Sequence, residues 1–173
     1  MGNGHRQPLF WGVALAVVVL DFITKQIAVA TLSSAPTSVL GQWLTFRLVY
    51  NPGAAFGIYL GEYSRWIFMV LALIALVVLA TLARQTAAYQ WPRLLALGLV
   101  CGGAIGNLVD RVRSARGVVD FIDVHIGSFH WPTFNVADMA VTCGALALAA
   151  VFWQEGRHGD EQQAAEQAGR AGV

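Results

Sequence analysis

The chain has 173 residues, 57% of them hydrophobic and only 12% charged, and eleven Lys and Arg against ten Asp and Glu leave a net charge of +1. That composition describes a protein whose main solvent is lipid, and it excludes nucleic-acid binding, which needs a clustered basic face. Cys101 and Cys143 stand in apolar runs as small packing residues, so no disulfide framework and no cysteine metal pair is expected.

Metal and nucleophile motifs are also missing. No Cys-x-x-Cys, His-Glu-x-x-His or Gly-x-Ser-x-Gly occurs, and His125 and His130 flank a loop with no obvious third ligand. No metal and no other cofactor is expected. Any catalysis falls to carboxylates.

In chain order, apolar sequence runs from Pro8 to Leu20 and resumes after Asp21, predicting a first transmembrane helix over about 9–29. A cleavable signal peptide competes, because Arg6 precedes a short apolar core and Ala28-Val29-Ala30 resembles a cleavage site; Asp21 and Lys25 extend the segment as a signal core would not. On a helix those two are i and i+4 and can pair on one face. A structural pair and support of an active site are both open readings of them.

From Ser33 to Gly61 turn formers and alternation take over. Leu44, Phe46, Leu48 and Tyr50 share one face of a possible strand, and Trp43, Thr45, Arg47 and Val49 share the other. A small extramembrane sheet or interfacial cradle is expected between the first two helices, with Trp43, Tyr50 and Tyr59 at headgroup level. The turn from Asn51 through Gly53 to Gly57 has little side-chain bulk; it brings backbone close to a partner or is a plain tight turn.

The second predicted helix, about 65–83, is bare scaffold apart from Thr81. The third, about 94–112, carries Gly98, Gly102 and Gly106 at spacings of four, a ridge that lets a neighbouring backbone approach, followed by Asn107, Asp110 and Arg111 on one face. The fourth, about 134–153, follows Pro132, with Asn135 as a cap and Asp138 in its first turn. Residues 1–156 read as one domain; the polar tail 157–173 receives no function. Four spans put both termini on one side, and arginines divide between the two sides without choosing an orientation.

Asp110, Asp120, Asp123 and Asp138 lie along the stretch that organises the chain. An acid at mid-bilayer costs about 2.5–3.5 kcal/mol on insertion scales, so intramembrane carboxylates are functional by default. Asp120 and Asp138 fall at the same membrane face and can meet as a dyad sharing one proton, a general acid and base for peptide hydrolysis. Rival pairings stay open. Asp110 reads most simply as an ion pair with Arg111, Asp123 as facing water, and Asn107 and Asn135 as helix contacts or as groups that orient a carboxylate. A small proton-coupled transporter or channel subunit is the alternative from another class.

At five ordered blocks the chain closely resembles the lipoprotein signal peptidase (signal peptidase II) family of membrane aspartyl proteases. The blocks are Asp21-Phe22-Ile23-Thr24-Lys25, the turn Asn51–Gly57, Gly102 to Arg111, Val118-Val119-Asp120-Phe121, and Phe134-Asn135-Val136-Ala137-Asp138. The resemblance implies an all-α four-helix membrane fold in the bacterial cytoplasmic membrane, with both termini cytoplasmic and the active site near the outer face. It implies that Asp120 and Asp138 are catalytic, that Asn51, Gly53, Asn107, Asp110, Arg111 and Asn135 line or brace the site, and that Asp21 and Lys25 support it. Its substrate would be a prolipoprotein carrying diacylglycerol on its lipobox cysteine, cut just before that cysteine. Membrane lipid is the other expected partner, and a monomer is expected. The segment from Val39 to Tyr59 would be a cradle or lid over the peptide.

Overall fold

The computed structural model describes residues 8–53 and 60–171, with residues 158–171 as backbone alone. Among the described residues, four helices are long and apolar enough to cross a membrane. They are α1 (Pro8–Thr31), α2 (Ser64–Gln85), α3 (Trp91–Arg113) and α4 (Val136–Ala171), the last continuing past its apolar window, which ends at Arg157. At 1.5 Å per residue even the 22 residues of α2 reach about 33 Å. Pro92 sits in the first turn of α3, where its missing N–H costs nothing. At the other end of α3, Arg65 from α2 donates to the carbonyls of Arg111 (2.6 Å) and Val112 (3.2 Å), which have no partner within the helix.

Between the helices lies an antiparallel sheet of β1 (Thr37–Leu40), β2 (Leu44–Asn51), β3 (Val118–Ile126) and β4 (Phe129–His130), in that spatial order. The expected cradle between α1 and α2 is therefore only half of the sheet. The other half comes from the α3–α4 connection, where VVDFIDVHI, rich in β-branched residues, pairs with β2 from Leu44 opposite Val124 to Asn51 opposite Val118. The predicted alternation along β2 is interrupted by a bulge between Phe46 and Val49. Of the 51–57 turn, residues 54–57 lie outside the described residues, as does Tyr59.

α3 is the central helix, packed against α4, α1 and α2. The glycine ridge explains how: a Cβ at Gly98 would stand 2.9 Å from the Phe10 carbonyl, and one at Gly102 would stand 2.7 Å from that of Ala14. On the opposite side Gly103 meets the backbone of Ala137 in α4. Two apolar clusters result. One joins Phe10, Leu79, Leu94 and Leu97 at the end away from the sheet, and the other joins Ala28, Leu32 and Phe121 with Phe46 and Ile122 under the sheet. The buried stripe of α1 (Phe10, Ala14, Val17, Asp21, Lys25, Ala28) runs from one cluster to the other, so Asp21 and Lys25 lie between them.

Candidate active site

Where β3 meets the start of α4, two short hydrogen-bonded motifs hold the acids. Asn135 precedes α4, and its Oδ1 accepts from the Asp138 N–H (2.9 Å) while Asp138 Oδ2 accepts from the Asn135 N–H (3.2 Å). This reciprocal capping box points the Asp138 carboxylate back across the helix start. At the end of β2, Asn51 Oδ1 accepts from the Gly53 N–H (3.0 Å), which leaves its Nδ2 to donate to Asp120 Oδ2 (3.0 Å). Asn135 Nδ2 donates to the other oxygen of Asp120, Oδ1, at 2.7 Å.

Behind these acids lies a buried polar network. Lys25 and Asp21 are each 1% exposed and pair at 2.7 Å, as the i, i+4 spacing predicted, and Lys25 Nζ also reaches Asp110 Oδ2 at 2.9 Å. Its third contact is Asn107 Oδ1 at 3.0 Å, an oxygen that also accepts from Asn135 Nδ2 (3.1 Å). With its oxygen so occupied, Asn107 turns its Nδ2 to Asp138 Oδ1 at 2.8 Å. Asp21 Oδ1 accepts from the Ala137 N–H (2.9 Å), placing a carboxylate at the positive end of α4. Arg111 joins the loop to the helix, donating to the Gly53 carbonyl (2.7 Å) and to that of Asn107 (3.2 Å).

The Asp120 carboxyl is raised from an ordinary 3.8 to about 7, by burial first and by the nearby charge of Asp138 second, against the amides of Asn51 and Asn135 and the Lys25 ammonium, which pull the other way. Both acids open into a cavity of about 460 Å³. Asn51, Asp120 and Asp138 form its polar end, and Trp131, Phe134, Met139 and Val141 contribute apolar wall. The space suits an extended, mostly apolar segment with one polar group at the acids.

Asp21, Lys25, Asn51, Gly53, Asn107, Asp110, Arg111, Asp120, Asn135 and Asp138 thus belong to one connected network. Two sequence expectations are corrected. Asp110 pairs with Lys25 and accepts from the Val119 N–H (3.1 Å) instead of pairing with Arg111, because adjacent helical residues point in different directions. Asp123 does not face water; it is 2% exposed and held by Arg47 at 2.9 Å. Sequence reasoning also missed Gly117, whose φ of +102° and contact with the Asn51 carbonyl leave no room for a side chain, and the 131–134 wall. The hairpin that brings His125 and His130 to Asp123 was missed as well; its one local signal is the two-residue loop Gly127-Ser128.

The family model described as signal peptidase (SPase) II matches residues 13–154. The lipoprotein signal peptidase of Hydrogenovibrio crunogenus (strain DSM 25203 / XCL-2) is 40% identical over 163 residues, covering 90% of this chain and 91% of that protein. That of Burkholderia mallei (strain SAVP1) is 38% identical over 139 residues, covering 79% and 82%. Among solved structures, a bacterial membrane enzyme determined by the in meso method at 2.3 Å superposes with a TM-score of 0.75 at 32% identity, over 83% of this chain and 86% of that one. A second, at 1.9 Å, gives 0.71 at 33% identity over 81% and 89%.

Proposed function

The chain belongs to the signal peptidase II family, and on that premise we propose that it is an aspartyl endopeptidase that removes the signal peptide from diacylglyceryl-modified prolipoproteins, cutting immediately before the lipid-bearing cysteine. As a member of that family it is a protease and a multi-pass bacterial membrane protein. The observation that carries the aspartyl reading is that one residue, Asn135, holds both acids at the mouth of one cavity: its side-chain amide binds Asp120 and its backbone N–H binds Asp138.

In this reading a water lies between the acids. Asp138 takes a proton from it as its oxygen attacks the scissile carbonyl carbon, and Asp120, which keeps its proton up to about pH 7, gives that proton to the carbonyl oxygen. The resulting gem-diol collapses when Asp138 passes the proton to the amide nitrogen and Asp120 recovers one from a hydroxyl. The C–N bond breaks, and both acids return to their starting states. Asn51, Asn107 and Asn135 orient the carboxylates. Asp21 and Asp110 share the one Lys25 ammonium, which offsets part of their negative charge under the site.

The sheet end of the bundle is the outer face of the cytoplasmic membrane in this reading, and both termini are cytoplasmic. A diacylglyceryl chain lies in lipid while the peptide before it enters the cavity. Family membership leaves the rival reading, a proton-coupled transporter, without an observation in its favour.

The test is cleavage of a diacylglyceryl-modified prolipoprotein by the purified enzyme. Asp120→Asn and Asp138→Asn are each expected to lose at least about a thousandfold in turnover while the fold is kept, because asparagine preserves shape but cannot titrate. Near wild-type turnover by either variant would overturn the aspartyl reading. Cleavage of an unlipidated substrate at equal efficiency would overturn the substrate class.

A further inference from the structure

Among the described residues, a second cluster of ligating side chains gathers on the sheet, apart from the acids of the cavity. The Gly127-Ser128 turn folds β3 onto β4 so that His125 and His130 are direct cross-strand partners, and Asp123, two residues before His125, falls on the same face. The two imidazole rings lie 4.4 Å apart between centroids. Both Nε2 atoms turn to the Asp123 carboxylate, His130 on Oδ1 at 2.5 Å and His125 on Oδ2 at 3.2 Å.

One ligand atom from each of the three residues lies within 4.8 Å of the others. A tetrahedral zinc-type ion with bonds of about 2.0–2.2 Å holds its donor atoms about 3.3–3.5 Å apart, so small side-chain shifts close the set. The accessibility is graded: Asp123 is 2% exposed, whereas the side chains of His125 and His130 are 39% and 41% exposed. The carboxylate is therefore fixed by the protein, and an ion can arrive from the imidazole side. Two imidazole nitrogens with one carboxylate oxygen suit zinc, nickel or copper and not magnesium or calcium, which prefer all-oxygen sets.

A cation already competes there. Arg47 Nε stands 2.9 Å from Asp123 Oδ2, and Arg47 Nη2 donates to Thr133 Oγ1 at 3.3 Å. Thr133 lines the cavity, and Trp131 directly follows His130. We propose that Asp123, His125 and His130 form a binding site for a divalent transition cation of the zinc type, which displaces the Arg47 ion pair and braces the Trp131–Phe134 wall of the cavity. The alternative is a buried carboxylate satisfied by its neighbours alone. The two differ in whether metal binds, a question independent of peptidase activity.

Tag-free protein in detergent, treated with a chelator and then freed of it, is titrated with Zn²⁺ against a fluorescent indicator. One ion per chain is expected, together with a rise in thermal midpoint. The double variant His125→Gln/His130→Gln is expected to bind at least about tenfold more weakly and to lose the rise. Its metal-free midpoint, compared with wild type, verifies folding of these half-exposed positions. Arg47→Gln, which removes the competing charge, is expected to bind more tightly, and His5→Gln/His158→Gln to bind as wild type does. Failure of the wild type to bind one Zn²⁺, equal affinity in the folded His125/His130 variant, or weaker binding by Arg47→Gln would each overturn the proposal.

Discussion

In the proposed mechanism Asp120 serves chemistry at a cost to stability. Its proton affinity is raised to about 7 by burial and by Asp138, so as an acid it is lost as pH rises through that value. Turnover at low substrate is expected to fall about tenfold per pH unit above about 7, measured as kcat/KM against pH on a lipidated substrate. The linkage to folding has a definite sign. Between about 4 and about 7 the folded state holds a proton that the unfolded state has released, so stability falls as pH rises across that window. Asp120→Asn removes the term; thermal midpoints against pH are expected to show the variant more stable than wild type at pH 7 and above, by roughly 1–4 kcal/mol, while inactive. Lys25 acts at one remove, through Asn107 to Asp138. Lys25→Met leaves Asp21 and Asp110 buried with no cation between them, and a loss of several kcal/mol in stability is expected in a denaturation series.

Among the elements, α3 and the start of α4 set the geometry of the acids, because Gly103 and Ala137 touch backbone to backbone one residue before Asp138. Gly103→Val is expected to cost about 1–3 kcal/mol in stability and to lower turnover by moving the capping box, read by thermal unfolding beside the cleavage assay. Gly12 has open space around it in α1, and Gly12→Ala is expected to be neutral or to gain up to about 1 kcal/mol. The four spans were legible in the sequence from apolar length, and the i, i+4 pairing of Asp21 with Lys25 from helical period. The stripe Phe10, Ala14, Val17, Asp21, Lys25, Ala28 also places that pair on the buried face, a pattern available from the sequence once α1 is taken as helix. The β3 strand was not legible, since a nine-residue run with three ionisable groups looks like a polar connection until β2 supplies its hydrogen bonds.

For the whole molecule, the C-termini of α1 and α3 and the N-termini of α2 and α4 all meet the sheet, so the acids, the cavity and the Asp123 cluster gather at one end. The proposed orientation puts that end outside. In a cysteine-free background, a membrane-impermeant thiol reagent is expected to label Ser128→Cys, in the β3–β4 turn, on intact spheroplasts, and to label Ala88→Cys, between α2 and α3, only after permeabilisation. The reverse pattern would invert the orientation and place the cavity on the wrong side for an exported lipoprotein. The exposed apolar side chains of α2, including Val70, Leu73, Ile74 and Val77, face outward as lipid-contacting surface and not as an unfilled core.

Local chemistry alone dictated the membrane class, the helix count, the capping residue Asn135 and the set of carboxylates and amides that had to be paired, because these follow from apolar length, helical period and the cost of charge in lipid. Which acid meets which partner was settled by contacts distant along the chain. Lys25 meets Asn107 and Asp110, Asn51 meets Asp120, and Asp123 meets Arg47. Hydrogen-bond geometry acts over about 3 Å, and no spacing rule in one dimension can choose among acids three residues apart until strand register and helix packing have brought their partners into reach.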